Sequence, residues 1–294
     1  MGNADDAFAF VGAREREAPP LPQPPPRRKL PRGALFLAAI VLGCLFGGLL
    51  SGCEPGKFYL DHLNEAPNNL FYFGTDALGR DLFSTLWQGG RTSLTVGLVA
   101  MAAEAVLGVT YGCLSGVFER ADAYLMRAAE LLSSVPRLLL LLFLLSSQGE
   151  QTPVSIALAI GATGWMNLAR VVRGEVRRIW RCDYVQAARC MSAGLFYIAR
   201  RHLLPNLLPN VSFMIVSGFG AAVAMESTLS FLGLGLPLDI PSWGSMLSLA
   251  NRALLTGAWW VVVFPGALLT ATLLSIMELG EALRGKAERR CSHL

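Results

Sequence analysis

Residues 33–50 run for eighteen positions without a charge. At 1.5 Å of rise per residue, a helix of that length just crosses the hydrocarbon core of a bilayer, about 30 Å thick. Five further apolar stretches follow, at about 93–116, 125–145, 153–168, 211–225 and 259–277. Glu104 interrupts the second, and the third has Pro136 and Arg137 inside it with the leucine-rich run 138–145 beyond. Trp259 and Trp260 suit a membrane–water boundary, where an amphipathic ring is favoured. Composition agrees: 53% of residues are hydrophobic and 16% charged, whereas a water-soluble domain carries about a quarter charged residues to wet its surface. A soluble all-α domain is disfavoured by both run length and charge content.

Residues 1–32 form a polar tail in which Pro19, Pro20, Pro22, Pro24, Pro25, Pro26 and Pro31 cannot sustain a helix, so the tail is expected to be disordered. It closes on Arg27, Arg28, Lys29 and Arg32. If this tail is cytoplasmic, six spans place loops 117–124 and 169–210 and the C-terminal tail on the same side. Of the 25 Lys and Arg residues, nineteen then lie inside, while Lys57, Arg80, Arg91 and Arg252 lie outside and Arg127 and Arg137 fall within the third span. Such asymmetry orients membrane proteins, because Lys and Arg resist translocation. Six spans with both ends inside is the expected topology. Leu50-Ser51-Gly52-Cys53 resembles a lipoprotein cleavage site, but the long preceding tail and the polytopic chain behind it argue that the N-terminus stays attached.

No H-E-x-x-H, G-x-S-x-G, G-x-x-x-x-G-K-[ST] or paired-carboxylate arrangement occurs, so catalysis and ATP hydrolysis are not expected of this chain. The six cysteines (Cys44, Cys53, Cys113, Cys182, Cys190 and Cys291) form no C-x-x-C pair, and the three histidines complete no metal-ligand cluster. Neither a metal nor a cofactor is expected, and the net charge of +4 is too small to argue for nucleic acid.

The basic loop 169–210 is more informative. Asp183 with Gln186 three residues later looks like a capping-box helix start. Ala187 and Ala188 carry little bulk and would permit close approach of another protein. Ser192-Ala193-Gly194 is a weak point between two short helices, and Pro205 should end the second or at least not continue its hydrogen bonding. A helix–turn–helix on the cytoplasmic face and a solvated basic loop both fit these properties.

The same loop, through Gln186, Ala187, Ala188, Ser192, Gly194, Ile198, His202, Leu204 and Pro205, is similar to the E-A-A-x-x-x-G…H-x-L-P signature of permease subunits in binding-protein-dependent ABC importers. A second segment, Gly74-Thr75-Asp76-Ala77-Leu78-Gly79-Arg80-Asp81 with its flanks, resembles the region after the first span of the C-type permeases of dipeptide, oligopeptide and nickel importers. A third is Glu226-Ser227-Thr228-Leu229-Ser230-Phe231-Leu232-Gly233-Leu234-Gly235, with Pro241-Ser242-Trp243-Gly244 beyond. The three stand in family order over about residues 70–285.

The resemblance implies an all-α, six-span permease of the type I ABC importer fold. It divides into a tail (1–32), the first span with an external segment (33–92), a permease domain (93–285) and a C-terminal tail (286–294). It implies a heterodimer with a related B-type permease, two ATPase subunits, an extracytoplasmic substrate-binding protein, and coupling through the cytoplasmic helix in an inner bacterial membrane. Peptides, nickel or another small solute remain open as substrate. Gln186 stands where the family has Glu, and Ser192 where it has Gly; Gly194 is expected to take over the φ > 0 turn. Glu104 and Arg137 are either pathway residues or, respectively, a protonated or locally paired packing carboxylate and an arginine snorkelling to an interface. Asp76, Arg80 and Asp81 are expected to form an ion-pair cluster. The alternatives are a secondary transporter working without ATPases and, further off, an intramembrane enzyme.

Overall fold

The computed structural model describes residues 32–50, 56–149 and 151–291. The tail over 1–31 and Ser51-Gly52-Cys53 lie outside them. The helices in chain order are α1 (Arg32–Leu50), α2 (Leu82–Val117), α3 (Glu119–Ser134), α4 (Arg137–Gln148), α5 (Pro153–Trp180), α6 (Asp183–Cys190) and α7 (Leu195–Ile198). A π-helical turn (Ala199–Leu203) leads into α8 (Leu204–Phe231), followed by α9 (Trp243–Ser248), α10 (Ala250–Leu255) and α11 (Trp260–Cys291). Among the described residues, β structure is confined to isolated bridges between Phe58 and Arg80 and between Thr75 and Asp81.

Among the described residues, four helical runs are long and apolar enough to cross a bilayer: Leu82–Val117, Pro153–Trp180, Leu195–Phe231 and Trp260–Gly285. The third stretch read from the sequence is a broken pair, α3 and α4, bent by 91°. The first is the shorter apolar helix α1. Pro136 explains the break: it lacks an N–H and pushes Val135 into extended geometry (φ −83°, ψ 133°). The second stretch begins earlier than hydropathy suggested. Asp81 caps α2, its carboxylate accepting from Ser84 N–H at 2.9 Å. The helix then passes Arg91 unbroken, because that guanidinium donates to the carbonyls of Cys44 and Leu45 in α1.

The bundle is organised around the α2–α5 seam. Gly108, Gly112 and Gly116 stand one turn apart on α2, where a methyl group would lie 2.8 Å from Leu168, 2.6 Å from the Ala169 carbonyl and 2.6 Å from Val176. From α5, Gly161 meets Ala103 and Gly164 meets Glu104 in the same way. Small residues at four-residue spacing let two backbones approach closely, which is how helices associate where no hydrophobic drive separates protein from lipid. On α1, Gly43 and Gly47 similarly receive the Trp87 ring.

One end of the bundle carries segment 56–81, α9 and α10; the other carries α6, α7 and the π turn. At the first end α8 finishes in a Schellman turn: Leu234 N–H donates to the Leu229 carbonyl (2.9 Å) and Gly233 N–H to Ser230 (3.1 Å). That turn puts Gly233 at φ +76°, where glycine avoids the Cβ clash.

At the second end the backbone corrects three expectations. Asp183 is the first helical residue of α6 rather than its cap; the cap position is Cys182, whose side chain makes no capping bond, and Gln186 instead donates to the Trp180 carbonyl at 2.9 Å. The positive-φ residue is Ser192 (φ 59°), not Gly194 (φ −65°, ψ 150°), which precedes α7. The reason is a second Schellman turn: Ser192 N–H donates to Arg189 (2.9 Å) and Ala193 N–H to Ala188 (3.1 Å). The left-handed residue is fixed by where α6 stops, not by where a glycine is available. Lastly, Pro205 does not end a helix. The wider π turn, with Leu204 N–H donating to the Ala199 carbonyl, absorbs the break and the chain runs on into α8.

Two outcomes follow from this packing. Gly112→Leu should destabilise the purified chain by about 1–3 kcal/mol through overpacking of the seam. Gly174→Ala, where a methyl group meets nothing within 4 Å, should be neutral or stabilising; thermal unfolding in detergent compares the two. Ser192→Gly should stabilise by about 1 kcal/mol, since a non-glycine residue in left-handed geometry costs about that much. Gly194→Val should leave the loop intact, because a side chain there points into open space; a melting curve lowered by Gly194→Val and unmoved by Ser192→Gly would contradict the turn assignment.

Candidate functional site

Helix α6 has two faces. Val185 and Ala188 point inward, 0% and 5% exposed, and Val185 joins Ile198, Leu203 and Leu207 in a cluster with Leu168, Val172, Val176 and Ile179 of α5. Tyr184, Ala187 and Met191 share the outward face at i, i+3, i+7 spacing. Of the two alanines expected to meet a partner, Ala187 does face out, whereas Ala188 packs into the chain's own core. An eight-residue helix gives too short a period to fix that phase from sequence. His202 lies between the rings of Tyr184 (5.8 Å) and Tyr197 (5.9 Å), tying α6 to the segment after the turn. Leu204 and Pro205 lie on the exposed side of the first turn of α8. Partial burial, with help from the Cys182 thiol, raises the Tyr184 phenol above its ordinary value.

Beside α6 opens a cavity of about 800 Å³ whose charged lining is mostly basic: Arg120, Arg177, Arg181 and Arg189 against Glu119. Arg189 also stacks its guanidinium 5.0 Å over the Trp180 ring. The wall is braced by Asp122 of α3, which accepts from Arg173 and, at 2.6 Å, from Arg177 of α5, and from the Ser115 hydroxyl of α2. Asp122 was not singled out from the sequence. Its signal was an acidic residue in the first turn of α3 and a pair of arginines four apart on α5.

At the opposite end the family-like residues are scaffold. Asp76 pairs with Arg80 at 2.7 Å, both buried, and Arg80 also donates to the Leu238 carbonyl at 2.9 Å, joining segment 56–81 to the loop after α8. Asp81 leaves this pair to cap α2, so the expected three-residue ion cluster is a pair plus a cap. The backbone between Asp76 and Arg80 is a turn, with Gly79 at φ +72° donating to the Asp76 carbonyl. Thr75 donates to the His62 carbonyl at 2.6 Å and accepts from Glu65 N–H at 2.8 Å, and Gly74 accepts from Leu82 N–H. Glu226 of α8 is fully buried, accepting from Ser93 of α2 and Ser230 at 2.9 Å each and from Ser227 at 3.4 Å. Ser93 in turn accepts from the Trp243 N–H of α9 at 3.2 Å.

Glu104 of α2 and Arg137 of α4 meet within the bundle at 4.0 Å, as an ion pair longer than a hydrogen bond. Their neighbour across α5 is Gly164.

Residues 105–283 match the family described as the binding-protein-dependent transport system inner membrane component. The dipeptide transport system permease protein DppC of Bacillus subtilis (strain 168) is 35% identical over 88% of this chain and 81% of its own length. The oligopeptide transport system permease protein OppC of the same organism is 32% identical over 86% and 82%. The probable D,D-dipeptide transport system permease protein DdpC of Escherichia coli (strain K12) is 32% identical over 85% and 84%. These matches set aside the secondary-transporter and intramembrane-enzyme alternatives. The chain belongs to the binding-protein-dependent transport system inner membrane component family, as a helical permease subunit of an ABC importer rather than an enzyme.

Proposed function

We propose that this permease serves peptide import and couples to its ATPase subunits through the outward face of α6 and α7. The observation that carries the reading is an apolar patch at the arginine-rich end. Met191 and Phe196 are 78% and 79% exposed, with Tyr184, Leu195 and Tyr197 beside them. A contiguous exposed apolar patch rimmed by polar groups marks a protein-binding surface. The concentration of Lys and Arg at this end supports a cytoplasmic placement, with both termini inside. Peptides are favoured over nickel because relatives over most of the chain are named for dipeptide and oligopeptide transport. The assembly is completed by a related B-type permease, two ATPase subunits and an extracytoplasmic binding protein.

The coupling follows from the two faces of α6. A partner pressing on Tyr184, Ala187 and Met191 moves a helix whose other face, Val185 and Ala188, is embedded against α5 and the start of α8. Closure of the ATPases on ATP would therefore reach the spans as a rigid push. Phe196→Glu and Ala187→Glu should each reduce ATPase recovery in co-purification and substrate uptake by about tenfold or more, as truncating interface hot spots does. Ala188→Glu should fail earlier, at the stability of the chain itself, because it buries a charge in its own core. Undiminished ATPase recovery with both outward variants would remove this face from the mechanism.

A further inference from the structure

The geometry points to the cavity at the α3–α4 break as a binding place for the carboxylate of the transported peptide, with Arg137 as its cation. This rests on the peptide reading above and names the chemistry of a step inside the spans. The cavity holds about 300 Å³, at the small end of ligand sites, and is lined in part by Ser133, Ser134, Arg137, Thr163, Asn167 and Arg170. Both charged lining residues are cations, and the rest of this set offers hydroxyl and amide donors. Arg170 is steadied by a 2.8 Å bond to Ser133. Arg137 opens α4, so the positive end of that helix faces the same break.

Arg137 is left under-used. Its Nη2 reaches the Ile160 carbonyl at 3.2 Å, but its Nε is buried without a hydrogen-bond partner, as is Oε2 of Glu104. Elsewhere this chain closes such pairs: Asp76–Arg80 stands at 2.7 Å and Asp122–Arg177 at 2.6 Å. The Glu104–Arg137 pair is held open at 4.0 Å beside Gly164, where even a methyl group would lie 2.5 Å from both charged ends. An intramembrane arginine needs a counter-charge. Glu104 supplies it in the empty state without filling the guanidinium's donors. A substrate carboxylate can then take those donors and leave again, with Arg170 in the cavity lining as the second cation that balances two carboxylates. Glu104 is the positioning residue and Arg137 the binding one.

The test uses the assembled transporter, with partner permease, ATPases and binding protein, in proteoliposomes. Asn167→Cys places a thiol in the cavity wall, and its modification rate is read against the same complex with Asn167 intact. Dialanine and acetate should slow labelling and dialanine amide should not. Arg137→Gln should abolish that protection and lower dialanine uptake about tenfold or more, the loss expected for hydrogen bonds to a charged group. Arg137→Lys should recover part of both. Equal protection by dialanine and its amide, no protection by either carboxylate, or protection that survives Arg137→Gln would overturn the proposal. Absence of dialanine uptake by the unmodified complex would instead count against the peptide reading, while protection by acetate still decides the carboxylate site.

Discussion

Close contact between α2 and α5 is what the remaining elements are arranged around. In a bilayer, lipid tails compete equally well for apolar side chains, so helix association depends on packing quality rather than on escape from water. Gly108, Gly112 and Gly116 supply it by removing side chains from one stripe of α2, and Gly161 and Gly164 do the same from α5. With the backbones this close, α8 packs against both. Glu104 is set among Gly164, Gly218 and Arg137, and Val176 is set over Gly116 where the loop helix α6 begins its anchorage. The polar features at mid-bundle and at the basic end are both positioned by one seam.

Buried charge is handled in three ways in this chain, and the differences sort structure from function. Asp76–Arg80 and the Asp122 cluster are closed, short and multiply bonded, as expected where removing either partner would strand a charge. Glu226 meets hydroxyls from α2 and α8, and through Ser93 the backbone of α9, which ties the short helix Trp243–Ser248 to the bundle. Only Glu104–Arg137, among these buried groups, combines opposite charge with an unfilled donor, an unfilled acceptor and an adjoining cavity.

Much of this was legible in the sequence. The apolar stretches all lie on helices because a bilayer imposes a minimum length that composition alone reveals. The third stretch was read as one span with Pro136 inside it, whereas the chain bends by 91° there, because a proline cannot continue the hydrogen bonding of the preceding turn. The start of α2 was misjudged because a hydropathy reading stops at Arg91, whereas the helix continues by handing that guanidinium to carbonyls of α1. The glycine ladder was readable as G-x-x-x-G-x-x-x-G, but a window averaged for hydrophobicity passes over residues whose contribution is the absence of a side chain. At the basic loop two short helices stand where they were expected, but their phase and the end of the second differ. Which alanine faces inward depends on how α6 packs on α5, and which residue turns left-handed depends on the last residue of α6; Gly194 lies two positions beyond Ser192, too far to take the turn where the helix stops.

That dependence bears on why a serine occupies the turn. A Schellman ending leaves no freedom in which residue goes left-handed, so Ser192 carries a strain that glycine would relieve. The loop tolerates it because anchoring is supplied elsewhere: by Val185, Ala188 and Ile198 beneath, by Arg189 over Trp180, and by His202 between two tyrosines. The departure from the family residue falls between α6 and α7, while the buried side of α6 keeps its packing against α5 and the start of α8.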